Sequence, residues 1–398
     1  MREVKEFFRK SFNASPAVVV EAPGRLELLG NHTDYNHGLV MSLAVDKYIY
    51  VAATPRSDAI VELVSSSFPS SRDKFYLDRI EKNSETPWAN YTKGVLLELR
   101  RRGVHFTGFN AAIHGTIPFG AGLSSSAALE MATALVVRQM FPFLLTETGL
   151  GHAPKRATSG QLPDLTAREK IELAKVGQAA ESKFVGANVG LLDQISSLFG
   201  KAGQVIQIDF QHIAVEHSPM PPGVAIIVCD SAVKHDLSNG EYNELRQHCE
   251  DAAKKLGAAS LRAVDMPALE AGKAKLSERE YQCARHIVGE NQRVVYGERA
   301  LREGDIDQFG QYLFQSHESS RDYFKNSIPA LDTLVEIAGT IKGCYGARLT
   351  GGGFGGATIN LVREEDAPAF SKALSEEYFK RAQIRTEPWR AKIVDGAR

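Results

Sequence analysis

The chain has 398 residues, enough for two domains with proper cores, and 43% hydrophobic with 24% charged residues is an ordinary globular make-up. Lys plus Arg number 47 against 48 Asp plus Glu, and a net charge of −1 leaves no whole-chain footprint for nucleic acid or an anionic membrane. Cys229, Cys249, Cys283 and Cys344 are scattered with no C-x-x-C pair, which reads as reduced, packed thiols and argues against a structural zinc.

The opening MREVKEFFRKSF is too weakly apolar for a signal peptide, and the longest apolar helical candidate, residues 129–145, is interrupted by Glu130 and Arg138. The expectation is a cytoplasmic protein that neither spans nor binds a membrane. Residues 17–22 (AVVVEA) read as a strand that Pro23-Gly24 breaks. GRLELLGNHTDYNHG follows, packing Arg25, Glu27, Asn31, His32, Asp34 and Tyr35 into a short polar insert, before residues 40–53 resume β-branched character. Strands that deliver such an insert commonly build a ligand site on a rigid scaffold; the alternative is a turn rich in Asn, Asp and Gly.

Residues 88–100 have helical spacing, with Trp88, Tyr91, Val95 and Leu99 along one face. The central stretch is 115–128, GTIPFGAGLSSSAA, with strand-like residues before it and a helical run after it, broken at Phe141-Pro142. Glycines admit close backbone approach, and a helix N-terminus presents unpaired N–H groups and a favourable dipole, so the stretch reads as a cradle for phosphate oxygens. No Gly-Lys-Ser/Thr follows, so it is not a Walker A loop. The bland alternative is a Gly/Ser-rich turn that caps a helix.

Residues 144–164 read as a long surface loop, 167–183 as a helix ending in FVGANVG, and Asp193 opens LLDQISSLF. The proline-rich HSPMPPG precedes a buried-strand pattern, GVAIIVCD, and places a domain boundary near 215. Residues 233–256, 277–301, 308–324 and 330–338 are helical. The stretch 347–362, ARLTGGGFGGATINLV, formally contains G-x-G-x-x-G, but a strand follows the glycines where a Rossmann fingerprint needs a helix. Five glycines between strands instead suggest backbone lying against a ligand or another loop.

These stretches resemble the GHMP small-molecule kinases and, within them, the galactokinase family, over nearly the full chain: APGRLELLGNHTDYNHG, FGAGLSSSA, AESKFVGANVGLLDQ, CDSAVKHDLSNGEYNELRQHCEDA, ARHIVGENQRV, SHESSRDYFKNSIPALDTLVEIA and GARLTGGGFGGA, in that order. The resemblance implies an α+β fold of two domains, 1–215 and 216–398, with the active site in the cleft between them and the glycine-rich motif closing over the serine loop. It implies ATP with Mg²⁺ and transfer of the γ-phosphoryl group to the anomeric C1 hydroxyl of a hexose. By position, Gly120, Ala121, Gly122, Leu123, Ser124, Ser125 and Ser126 hold the phosphates, Trp88 lies near the adenine, and Ser126 and Glu181 fall on the magnesium ligands. Asp193 matches the general base and Arg25 the arginine beside it. Asn31, His32, Asp34, Gly190 and Tyr242 match sugar-contacting positions. An aspartate alone is a poor base for a sugar hydroxyl; Arg25 can stabilise charge on the transferring group, and Asp193 then mainly orients the hydroxyl.

The family signature has asparagine where this chain has Glu27, and glutamate where it has Asn31. Loss of the negative charge at 31 opens a second reading, a sister kinase for a modified hexose such as galacturonate. A third reading, a non-catalytic sugar and ATP sensor, is countered by the intact serine loop, Arg25 and Asp193. The expected partner is a small sugar, with the chain a monomer or weak homodimer.

Overall fold

Two long apolar strands, Val18–Leu29 and Leu39–Pro55, pair antiparallel and form the spine of the first sheet. Along its other edge, Leu39–Pro55 takes Phe109–Gly115 at one end and Gln204–Asp209 at the other, both antiparallel. Ile60–Ser65 pairs parallel with Phe109–Gly115, and Phe68–Tyr76 and Ala214–Pro219 close the two sides. The structure is a computed structural model that describes every residue except 146–150, 153–161 and 234–238. Most of the predicted 144–164 loop thus lies outside the described residues, as does the start of the predicted 233–256 helix; the latter is helical over Asn239–Lys255.

The break predicted at Pro23-Gly24 does not occur. The strand runs through, and Pro23 sits where its register against the partner slips, a position at which a missing N–H costs the ladder little. Gly24 has a separate purpose: a Cβ there would lie 2.8 Å from the carbonyl oxygen of Leu123, to which the Arg25 N–H donates at 3.2 Å. The serine loop is thereby laid directly on the strand that carries Arg25.

The second sheet orders Cys344–Leu349, Ala357–Arg363, Val224–Asp230 and Trp389–Ala391, all antiparallel. Residue 215 falls inside the last strand of the first sheet, and the chain crosses between sheets at 220–223. The tail then returns to the first sheet: Val394 donates to Ala44 O at 3.0 Å, Arg398 N to Glu21 O at 2.9 Å, and the Arg398 side chain pairs with Glu21.

The helix Glu278–Glu303 starts at a Ser277–Glu280 capping box and ends at Gly304 in the left-handed region, as its sequence dictates. Glu290 on it accepts from the N–H groups of Gly30 and Asn31, each at 2.9 Å, and Asn291 Oδ1 accepts from Leu39 N at 2.9 Å. One element of the second half therefore grips both ends of the polar insert. Among the described residues no helix is long and apolar enough to cross a membrane.

The helix Ile306–Ser319 crosses the strand Cys344–Leu349 backbone to backbone. A Cβ on Gly310 would lie 2.0 Å from Tyr345 O, and one on Gly346 would lie 2.1 Å from Gly310 O. Gly310→Ala is expected to destabilise the fold by about 3 kcal/mol, since neither partner is a yielding side-chain tip. Urea denaturation checks this, and a loss below about 0.5 kcal/mol would mean that helix and strand separate freely.

Candidate active site

Arg25 and Glu27 stand two apart on one strand and so share a face. Asp193 lies in the first turn of the helix Leu192–Phe199. The two elements meet at an ion pair: Arg25 Nε donates to Asp193 Oδ1 at 2.7 Å, with the side chains 7% and 23% exposed. Ser124 Oγ donates to Asp193 Oδ2 at 2.5 Å, and the Arg25 guanidinium also donates to the carbonyl of Gly122. Both carboxylate oxygens of Asp193 are thus fixed before any substrate arrives.

The serine loop obtains its shape from backbone geometry. Gly120 and Gly122 have φ of 77° and 70°, and Ser124 itself is left-handed at φ 56°. That conformation is uncommon for a serine, and from it the Ser124 hydroxyl reaches Asp193. The helix Ser125–Met140 begins at the next residue, directing its free N–H groups at the loop.

Two cavities adjoin here. One, of about 250 Å³, is lined by Arg25, Glu27, Asn31, His32, Asp34, Gly190, Asp193, Tyr242 and Gly352, among others. The second, of about 540 Å³, is lined by Arg25, Tyr91, Pro118, Phe119, Gly120, Gly122, Leu123, Ser124, Ser125, Ser126, Thr350, Phe354 and the glycines from Gly352 to Gly356. Arg25 and Gly352 border both. The glycine stretch lies against the serine loop, since a Cβ on Gly351 would come within 2.9 Å of Gly122 O.

Within the smaller cavity each residue has a distinct standing. A Cβ on Gly190 would sit 1.6 Å from Asp34 Oδ2, so the missing side chain is the space the Asp34 carboxylate occupies. Burial first, and the charge of Asp193 second, push the Asp34 carboxyl up to about 7. His32 Nε2 donates to Gly352 O at 3.0 Å, and its Nδ1 lies 2.8 Å from the Tyr35 hydroxyl; burial pushes the ring down to about 4, so it is neutral. The His32 ring also contacts Tyr242, with centroids 5.0 Å apart. Asn31 lines the cavity, but its amide is engaged inside the protein: Nδ2 donates to Glu27 and Gly351 O, and Oδ1 accepts from Asn326 at 2.9 Å.

Arg348, Glu290 and Asn326 escaped sequence reasoning because their roles are purely long-range. Arg348 is fully buried, donates to Leu28 O at 3.0 Å and pairs with Glu27 at 3.2 Å. Burial pushes the Glu290 carboxyl up, but Arg293 and Arg348 outweigh it and hold it well below the ordinary range.

In the larger cavity Gly120, Gly122 and Leu123 to Ser126 form the wall, whereas Ala121 is 2% exposed, packs into the core and does not line it. Trp88 does not line the cavity either. Its indole N–H donates to Ser71 Oγ at 3.2 Å, and Phe68 stacks on its ring at 6.2 Å; Tyr91, Phe119 and Phe354 are the aromatic lining. Glu181 is buried beside the Ser126 hydroxyl and accepts from Gln194 at 3.1 Å. Burial, and then Asp193, push the Glu181 carboxyl up to about 7. Gln194 also donates to Glu130 at 2.9 Å, leaving one oxygen on each of Glu130 and Gln194 with no hydrogen-bond partner. Among the described residues Arg25 is the cation that acts on this buried cluster of acids, a setting that a divalent cation would further compensate.

Comparison with known proteins agrees on one family. Residues 6–55 match the model for the galactokinase galactose-binding signature, 90–201 the GHMP kinases N terminal domain, and 298–380 the GHMP kinases C terminal region. The chain is 39% identical to a galactokinase of Roseiflexus sp. strain RS-1 over 94% of this chain and 91% of that one. It is 38% identical to the human galactokinase, over 95% and 92% of the two chains. A crystal structure of Lactococcus lactis galactokinase complexed with galactose superposes with a TM-score of 0.89 at 30% identity, covering 100% of this chain and 99% of that one. A mevalonate kinase, at 17% identity and a TM-score of 0.60, shares the fold.

Proposed function

The chain belongs to the galactokinase family of GHMP kinases, and from that premise we propose that its cleft transfers the γ-phosphoryl group of ATP to the anomeric C1 hydroxyl of galactose. The observation that carries the reading is the junction of the two cavities at Arg25, with Asp193 beside it. A sugar in the smaller cavity and a triphosphate in the larger one bring acceptor and donor together at that point.

Asp193 orients the C1 hydroxyl and takes its proton as the bond to phosphorus forms. Arg25 faces the charge that develops on the transferring phosphoryl oxygens. The N–H groups of the serine loop and of the helix behind it hold the phosphates. Asp34 accepts from sugar hydroxyls, and Tyr242 and His32 shape the wall around them. Ser126 and Glu181 would hold Mg²⁺. The ion neutralises phosphate charge when bound. The setting is a soluble, cytoplasmic enzyme, monomeric or weakly dimeric, whose partners are the sugar and ATP alone.

The galacturonate reading loses its motive because Glu27 lines the sugar cavity, so the carboxylate absent from position 31 stands four residues earlier. ATP consumption with galactose, 2-deoxygalactose, glucose, N-acetylgalactosamine, galacturonate and no sugar tests the assignment. Turnover on galactose and 2-deoxygalactose but not galacturonate is expected; no turnover on any of them overturns it.

Asp34 supplies a pH prediction. Its ionised form is the better hydroxyl acceptor, and that form fills in as pH rises through about 7. Galactose affinity is therefore expected to rise between about pH 5.5 and about 7.5, and Asp34→Asn should flatten the rise. Stability runs the other way. A carboxyl raised from 3.8 to about 7 stabilises the fold fully below 3.8, and that contribution is lost as pH climbs through 7. Calorimetric titration and thermal melts across this range check both signs.

A further inference from the structure

The carboxylate that this chain carries at position 27 is only half used. Glu27 is 3% exposed, yet it borders the sugar cavity. Asn31 Nδ2 donates to its Oε1 at 2.9 Å, and Arg348 Nη2 lies 3.2 Å from the same oxygen. No described residue hydrogen-bonds to Oε2, and that oxygen is not among the fully sealed polar atoms. Asn31 is the opposite case. Its two N–H groups go to Glu27 and Gly351 O, and its oxygen accepts from Asn326 and, at 3.5 Å, from Ser320. An amide has two donors and one oxygen, so Asn31 has no donor left for a ligand.

We infer that Glu27, rather than Asn31, takes a hydroxyl of the hexose and so selects a neutral sugar over an anionic one. The inference rests on the galactose-phosphorylating reading above. Arg348 and Asn31 are positioning residues in this arrangement: they fix one carboxylate oxygen and leave the other free to accept. A buried acceptor with an open lone pair favours a ligand that brings a hydroxyl and penalises one that does not. A uronic acid fares worse still. Its carboxylate would enter a cavity bordered by Glu27, Asp34 and Asp193, where the bordering cation among the described residues, Arg25, is already paired with Asp193.

The test couples a side-chain change to changes in the sugar. kcat/KM is measured for galactose, its 2-, 3-, 4- and 6-deoxy forms and galacturonate, with wild type, Glu27→Gln, and the double variant Glu27→Asn with Asn31→Glu. Glu27→Gln keeps an oxygen for Asn31 and Arg348, and unchanged ATP binding confirms its fold. Its kcat/KM on galactose is expected to fall roughly 10- to 100-fold, mainly through KM. One deoxysugar should be equally poor with wild type and lose nothing further with Glu27→Gln, because the two changes remove opposite ends of one hydrogen bond. The double variant, which returns the carboxylate to position 31, should recover rejection of galacturonate.

If Glu27→Gln turns over galactose like wild type, or loses equally on every deoxysugar, Glu27 does not touch the sugar. If that variant fails to bind ATP, Glu27→Asp, which keeps the charge and shortens its reach, is measured on the same deoxysugars. Coupling to one of them then supports the contact, and a uniform loss or none removes it. A wild type inactive on galactose overturns the functional reading itself; an active wild type without coupling overturns only the Glu27 assignment.

Discussion

Replacing Asp193 by alanine is expected to lower kcat by about 10²- to 10⁴-fold, the range associated with a positioned acid–base group, while the Kd for ATP stays within about twofold. The separation follows from the architecture. The larger cavity is walled by the serine and glycine loops, and Asp193 borders only the smaller one. Its two oxygens are held by Arg25 and Ser124, so no rearrangement is needed to present the carboxylate. Part of the effect will come from those partners, because the left-handed Ser124 loses its acceptor. Pre-steady-state turnover, with calorimetric ATP binding alongside, separates these contributions. Turnover retained within about fivefold of wild type would make Asp193 a structural clasp for the serine loop.

Gly190→Ala is expected to raise the KM for galactose by roughly 100-fold, about the loss of a hydrogen-bonding carboxylate from a buried site, with little change in Tm. The new methyl would stand 1.6 Å from Asp34 Oδ2, well inside contact distance. The obstacle is the end of a side chain, so Asp34 moves and the fold survives. What moves is the acceptor proposed for the sugar. ATP binding is expected to persist, since Gly190 does not line the larger cavity. An unchanged KM would mean that Asp34 can shift without cost, and its role in the sugar cavity would fall with it.

Local chemistry made much of this protein legible in the chain. The helix predicted over 277–301, the Gly/Ser loop ahead of Ser125–Met140 and the glycine stretch between two strands each follow from residues within a few positions of one another. The failures are equally specific. Pro23 reads as a strand breaker, yet a register slip against Leu39–Pro55 accommodates it, and the slip depends on the partner strand. Trp88 and Tyr91 read as one aromatic face, and packing divides it: Phe68 stacks on the Trp88 ring, while Tyr91 borders the larger cavity.

From the sequence, the resemblance carried by its motifs implied the fold family, the reaction class and an arginine, Arg25, beside Asp193, and the structure brings that pair together across 168 positions. The sequence left open which way Glu27 faces. That was decided by Arg348, fully buried on the strand Cys344–Leu349, and by the Asn31 amide, which together fix one oxygen of the carboxylate. Direction at such a position depends on a partner hundreds of residues away as well as on a neighbour four positions along. A buried carboxylate must satisfy its charge wherever the fold brings a cation, and only the packed tertiary structure brings Arg348 to that place.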